Sequence, residues 1–365
     1  MTEQERILQH TLQCIRPADE EAVRAARKYA DSLAKPPGSL GQLEEIAAKL
    51  AGITGRIKNE IKKTRITVLA ADNGVCSEGV SSAPQRVTAE QAVNMTRGIT
   101  GMAALAAEFG CEVQVTDVGI ATPYICDTIR NAKIRRGTGN LLRGRAMSRE
   151  EVLSALCTGI SLAEEAKRDG ISALGVGEMG IGNTTSSSAV LAVLTGKPVR
   201  ELTGRGGGLT DAAYERKRCV IEEALRFHHP DPADVIGVLG CVGGLDLAAM
   251  CGVFLGCAAL RLPAVADGFI SVTAALCAAY LAPAVRDVLF LSHVSAEPGY
   301  AAAREALGLP AYLLLDLRLG EGSGCPLAFQ VLKAACAMMR NMATFEEARI
   351  DDRYLAEIRA QEERQ

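Results

Sequence analysis

Seven short apolar runs recur along this chain, and most close on a polar or glycine-containing segment that leads into a helical stretch. They are Thr64–Ala71, Glu112–Val118, Ile171–Gly175, Val235–Leu239, Leu262–Ala266, Val288–Leu291 and Tyr312–Leu315. Strands that alternate with helices cannot pair as hairpins. They predict an α/β fold with a doubly wound parallel sheet. The polar and glycine residues gather after the strands, where an open sheet of this kind binds ligands. The first run leads into Asp72-Asn-Gly-Val75, the sixth into Ser292-His-Val-Ser295, and the last into Asp316-Leu-Arg-Leu-Gly-Glu-Gly-Ser-Gly324.

The ends read differently. Residues 1–60 are helical, with Pro36-Pro37-Gly38 interrupting two amphipathic stretches, Glu20 to Leu33 and Leu40 to Ile53. Lys35 in that joint reads as a solvated side chain. Thr344-Phe-Glu-Glu347 has the spacing of a capping box and predicts a charged helix to Gln365. The expected organisation is a Rossmann-like catalytic domain over 61–343, with a small helical subdomain from 1–60 and 344–365.

The chain has 365 residues, is 48% hydrophobic and carries a net charge of −3. Without a basic block, neither nucleic acid nor an anionic membrane is an expected partner. The most apolar region, Leu247 to Val285, is broken by Arg261, Pro263 and Asp267 into buried helix, strand and helix. The N-terminus shows no apolar signal segment, so a cytoplasmic location is expected. Twelve scattered cysteines form no CxxC pair and four histidines form no helical metal pair, so the cysteines read as small buried hydrophobes and no metal is expected.

Several stretches can carry chemistry. Glu321 stands between Gly320 and Gly322, where the flanking glycines let a substrate approach the backbone. Gly175-x-Gly177-x-x-Gly180 matches a dinucleotide fingerprint, with Glu201 about 20 residues on. However, Glu178 falls where a pyrophosphate would lie. A monophosphate fits better. Gly180-Ile-Gly-Asn183-Thr-Thr185 places amides and hydroxyls at a helix N-terminus, and Gly204 to Gly208 adds a second amide-rich loop. Lys217 and Ser295 complete that group, although Lys217 reads equally as a surface helix lysine. Thr88-Ala-Glu-Gln91 has capping-box spacing and opens a helix, with Gln91 serving either the cap or a ligand.

Six blocks, in order, resemble the nicotinate-nucleotide–dimethylbenzimidazole phosphoribosyltransferase family: Lys35–Gly41, Ala71–Gly74, Gly177–Thr185, Thr203–Gly206, Ser292–Glu297 and Leu319–Gly324. The resemblance runs from about residue 20 to 348. It implies phosphoribosyl transfer from nicotinate mononucleotide to a benzimidazole for the cobalamin lower ligand, by a homodimer that needs no metal or other cofactor. A transferase using another azole, a purine or a phenolic base is the nearest alternative, and a non-catalytic nucleotide sensor a more distant one. The implied catalytic base is Glu321. Glu178, Gly180, Lys217 and Ser295 match the phosphoribose region, while Leu319, Ser82 and Gln91 match the base pocket. Asn73 stands where histidine is expected in many relatives and Cys325 where a small residue is usual, departures that bear on base preference. The residues agree with this chemistry. Nicotinate leaves its nucleotide as a neutral ring nitrogen, so one carboxylate base suffices. The acidic pair Asp351-Asp352 follows no strand, unlike the strand-end pair that meets the ribose in the Mg²⁺-dependent, pyrophosphate-expelling transferases.

Overall fold

The computed structural model describes residues 1–355. Seven strands form one all-parallel sheet: β1 Thr64–Ala71, β2 Glu112–Gly119, β3 Arg130–Asn131, β4 Ala173–Met179, β5 Ala264–Ala266, β6 Leu289–His293 and β7 Ala311–Leu313. Their order is β3-β2-β1-β4-β5-β6-β7. The chain moves outward from β1 in one direction and from β4 in the other, so the topological switch lies between these neighbours. Every residue of β1 and β4 is buried, as a strand covered on both faces requires.

One layer of helices combines Val87–Thr96, Gly101–Glu108 and Cys325–Asn341. The other combines Arg149–Arg168, Leu245–Ala259, Phe269–Leu281 and Gly299–Leu307. Right-handed crossovers in opposite directions put these layers on opposite faces of the sheet. Arg149–Arg168 and Leu245–Ala259 approach so closely that a Cβ on Gly252 would lie 2.1 Å from the Leu156 carbonyl oxygen. The terminal segments meet at an antiparallel bridge between Leu33 and Thr344. The helix Gln42–Thr54 packs on Cys325–Asn341.

Four expectations need correction. Val235–Leu239 is not a strand but part of the helix Val235–Val242, capped by the Asp234 side chain on the Gly237 N–H. A short, wholly buried apolar run has no periodicity to separate the two states. The last strand ends at Leu313, and Leu314 and Leu315 are exposed at 83% and 50% because β7 is an edge strand. Lys35 is buried rather than solvated, with Nζ 2.8 Å from the Glu44 carboxylate, so the proline-rich joint closes on an ion pair. The Thr344–Glu347 capping box does form, yet Arg349 turns the chain left-handed at φ 57° and only a 3₁₀ turn, Arg353–Leu355, follows. The rest of the expected tail helix lies outside the described residues.

Candidate functional site

A cavity of about 280 Å³ opens at the carboxyl ends of β4 to β7. β4 brings Glu178 and β6 brings His293, while the turns after β5 and β7 bring Asp267 and Glu321. The long connection after β1 adds Ser82.

Glu321 sits at φ 64°, a left-handed conformation uncommon outside glycine, between Gly320 at 79° and Gly322 at 87°. Two features hold this turn. The Asp267 carboxylate accepts from the N–H of Gly322 at 3.1 Å and of Gly324 at 2.7 Å. The turn also rests directly on β4, where a Cβ on Gly177 would stand 2.6 Å from the Glu321 carbonyl oxygen. Gly175 likewise makes room for Cys325. The first two glycines of the apparent dinucleotide fingerprint therefore seat the glutamate turn against the sheet.

The two oxygens of Glu321 differ. Oε1 accepts from Gln91 Nε2 at 2.9 Å, whereas Oε2 is buried and makes no hydrogen bond of ordinary geometry, with the Thr100 side chain and the Met102 N–H lying near the carboxylate. Burial raises the pKa of this carboxyl, and the Gln91 hydrogen bond opposes the shift. Gln91 is thus a brace behind Glu321 and does not line the cavity. The expected capping box around it is absent: the helix Val87–Thr96 begins one residue before Thr88, whose hydroxyl accepts from the Ile181 N–H at 3.1 Å.

Glu178 accepts from the Glu321 N–H at 3.3 Å and from the Asn183 side-chain amide, which also reaches Asp246 at 3.2 Å. Burial, reinforced by the Asp246 charge, pushes Glu178 up to about 8. Burial pushes Asp267 up to about 7 against the hydrogen bonds of the turn it holds. His293 is pushed down to about 4 by burial and is neutral, with Nδ1 2.8 Å from the Ser292 hydroxyl.

The opposite end gathers backbone amides. Gly180 to Thr184 enter the helix Asn183–Thr195, and Gly206 lies against them, where a Cβ would stand 3.0 Å from the Thr184 hydroxyl oxygen. Lys217 is fully buried behind this wall. Its ammonium donates to the Thr184 hydroxyl at 2.8 Å and to the Gly204 carbonyl at 3.0 Å. It is therefore no surface lysine, and burial pushes it down to about 8. The Glu297 carboxylate accepts from the Gly206 N–H at 3.1 Å, and Ser295 lines the wall beside it.

Glu178, Gly180, Asn183, Ser295, Leu319, Ser82 and Glu321 all line the cavity. Gln91 and Lys217 stand one layer behind. The two departures noted in the sequence do not reach it. Asn73 is buried and accepts from Ser186, and the Cys325 thiol points to the Val265 carbonyl, so neither touches the space where a base would sit. Sequence reasoning missed Asp267, His293, Glu297 and Arg318 as cavity residues, although the first three follow or end strands. Seven of the twelve cysteines are buried. No helix among the described residues is long and apolar enough to cross a membrane.

A family model described as phosphoribosyltransferase matches residues 15–350. A nicotinate-nucleotide–dimethylbenzimidazole phosphoribosyltransferase of Clostridium perfringens is 48% identical over 98% of this chain and 99% of its own length. One of the same name from Clostridium tetani is 44% identical over 97% and 98%. The crystal structure of CobT from Thermus thermophilus superposes with a TM-score of 0.88 at 42% identity, covering 91% of this chain and 99% of that one.

Proposed function

We infer what this chain does from one premise: it belongs to the nicotinate-nucleotide–dimethylbenzimidazole phosphoribosyltransferase family. It transfers phosphoribose from nicotinate mononucleotide to 5,6-dimethylbenzimidazole, in cobalamin biosynthesis. The products are α-ribazole 5′-phosphate and nicotinate. A benzimidazole nitrogen attacks C1′ on the face opposite the pyridinium. The C1′–N bond breaks and its electron pair stays on nicotinate, which departs neutral at the ring nitrogen. Attack from the opposite face inverts the β-nucleotide to the α-product. The second benzimidazole nitrogen must then release its proton.

Glu321 takes that proton. The observation that supports this role is its place: Glu321 lines the cavity on a glycine-flanked turn, with Gln91 holding its Oε1. Burial raises the basicity of the carboxylate, which suits proton abstraction near neutral pH. Leu319 and Ser82 flank the base. Gly180 to Thr184, Gly206, Gly207 and Ser295 cradle the 5′-phosphate, with the Lys217 charge behind them. Glu178 and Asn183 face the ribose. Burial keeps Glu178 largely protonated at neutral pH. The positive charge that develops at an oxocarbenium-like C1′ in the transition state, rather than the net-anionic bound nucleotide, favours the ionised fraction of Glu178 and is stabilised by it. The protein works as a cytoplasmic homodimer, a reading supported by the family resemblance. The helices of 1–60 and the described stretch 344–355 form a small subdomain, a reading supported by the bridge between Leu33 and Thr344.

The test is Glu321→Gln. Nicotinate release in the presence of dimethylbenzimidazole is expected to fall by at least about 100-fold, the scale of one general base. Calorimetry is expected to show nicotinate mononucleotide still binding. Turnover within a few-fold of wild type removes Glu321 from the role.

A further inference from the structure

We propose that Arg318 binds the carboxylate of the nicotinate ring, and so makes the enzyme select nicotinate nucleotides over nicotinamide nucleotides. The inference rests on the transferase reading and extends it to the leaving group. The substrate carries two anionic groups. Its phosphate has the amide cradle and Lys217. Its ring carboxylate must go elsewhere, into a cavity whose wall includes the side chains of Glu178, Asp267, Glu297 and Glu321. Against these acids the wall holds a single permanently charged cation, Arg318, since His293 is kept neutral by burial. Arg318 is exposed and makes no hydrogen bond or ion pair among the described residues, so its guanidinium is available.

Its place also suits a leaving group. Leu319 turns its side chain toward the helix Gly101–Glu108, with Cδ2 2.8 Å from where a Cβ on Gly101 would stand. On the other side of Arg318, the Leu317 carbonyl accepts from the Ala296 N–H at 3.1 Å, tying this stretch to the Ser295–Glu297 wall. Arg318 thus joins the base-side wall to the phosphate-side wall. A planar guanidinium meets a carboxylate with two parallel hydrogen bonds, a match that a carboxamide lacks in both charge and acceptor geometry.

The experiment compares nicotinate and nicotinamide mononucleotides as phosphoribosyl donors for wild type, Arg318→Met and Arg318→Lys, with nicotinate and nicotinamide as product inhibitors. Arg318→Met is expected to raise KM for nicotinate mononucleotide about tenfold, the scale of one partly exposed charge-assisted contact, with kcat nearly kept. KM for nicotinamide mononucleotide is expected to stay unchanged, so the preference collapses. Inhibition by nicotinate weakens in step, and Arg318→Lys restores part of both. An equal loss for the two nucleotides, or an unchanged preference, overturns the proposal. A wild type that transfers from neither nucleotide instead refutes the transferase reading. Calorimetry of nicotinate binding to wild type and Arg318→Met then judges Arg318 independently, and equal affinities overturn it.

Discussion

Nucleotide binding is expected to draw a proton onto Lys217. Burial holds this lysine near 8, well below its ordinary value of 10.5. A phosphate dianion beside the cradle favours the ammonium and moves the group back toward that ordinary value. At about pH 9 the free lysine is then roughly one-tenth charged and the bound one almost fully charged, an uptake of about 0.9 proton. At about pH 7 both states are charged and the uptake falls to roughly 0.1 proton. The linked loss of affinity between these conditions is about tenfold, or about 1.4 kcal/mol. The sign follows from burial. A lysine whose pKa is depressed in the free state and restored by ligand gives binding that weakens as pH rises through about 8. Calorimetry with nicotinate mononucleotide, in buffers of different ionisation enthalpy, reads the uptake directly. Lys217→Met is expected to flatten the pH dependence and to weaken binding at neutral pH about 10- to 100-fold. The corresponding riboside, which lacks phosphate, is expected to show no uptake in wild type. A binding heat independent of buffer at alkaline pH, with affinity flat across the range, refutes the placement of Lys217 behind the phosphate.

Three more expectations concern the carboxylates and the turn. The Glu178 pKa is raised from 4.5 in the unfolded chain to about 8 in the folded one, so its contribution to stability is fully present below 4.5 and lost as pH rises through about 8. Thermal melts of wild type are expected to fall across that window and those of Glu178→Gln to fall less; parallel curves exclude Glu178 as the cause. Gly177→Ala forces a Cβ to 2.6 Å from the Glu321 carbonyl oxygen. It is expected to cost about 1–3 kcal/mol in a melt and to lower kcat by displacing Glu321, and unchanged turnover contradicts the seating of the turn on β4. Turnover is expected to survive EDTA within about twofold, since a neutral pyridine nitrogen leaves without an electrophile's help; loss restored by Mg²⁺ overturns that leaving-group chemistry.

Much of this organisation was legible in the sequence because the strands are apolar runs and the ligand-facing turns are polar or glycine-rich. Glu321 stood out for that reason, and so did the glycine-rich loops Gly180 to Thr184 and Gly204 to Gly208. Other residues escaped for physical reasons. Lys217 occupies a helix whose pattern permits a solvated lysine, and only the tertiary wall made by Thr184 and Gly204 shows that it is buried. Gln91 carries capping-box spacing, yet its partner is 230 residues away, beyond any local rule. Gly175 and Gly177 mimic a cofactor fingerprint because close backbone approach selects glycine whichever neighbour approaches. Val235–Leu239 misled because an entirely apolar run hides its period.

The order in which the site is completed follows from how the sheet is wound. Glu321 closes onto Glu178 across 143 residues of chain and onto Gln91 across 230. The turn it occupies is gripped by Asp267, 55 residues before Gly322. A nascent chain can lay down β1, β2 and β4 long before the residue that grips them emerges. Such long-range closures are slow, since loop entropy is lost before the contact repays it. Until the last strand docks, Asp267 and Glu178 lack the turn's N–H groups that each accepts in the finished fold. The Glu321 turn is therefore among the last parts of the cavity wall to be completed, and a chain cut between Asp267 and Glu321 leaves Glu178 and Asp267 without the N–H groups they accept.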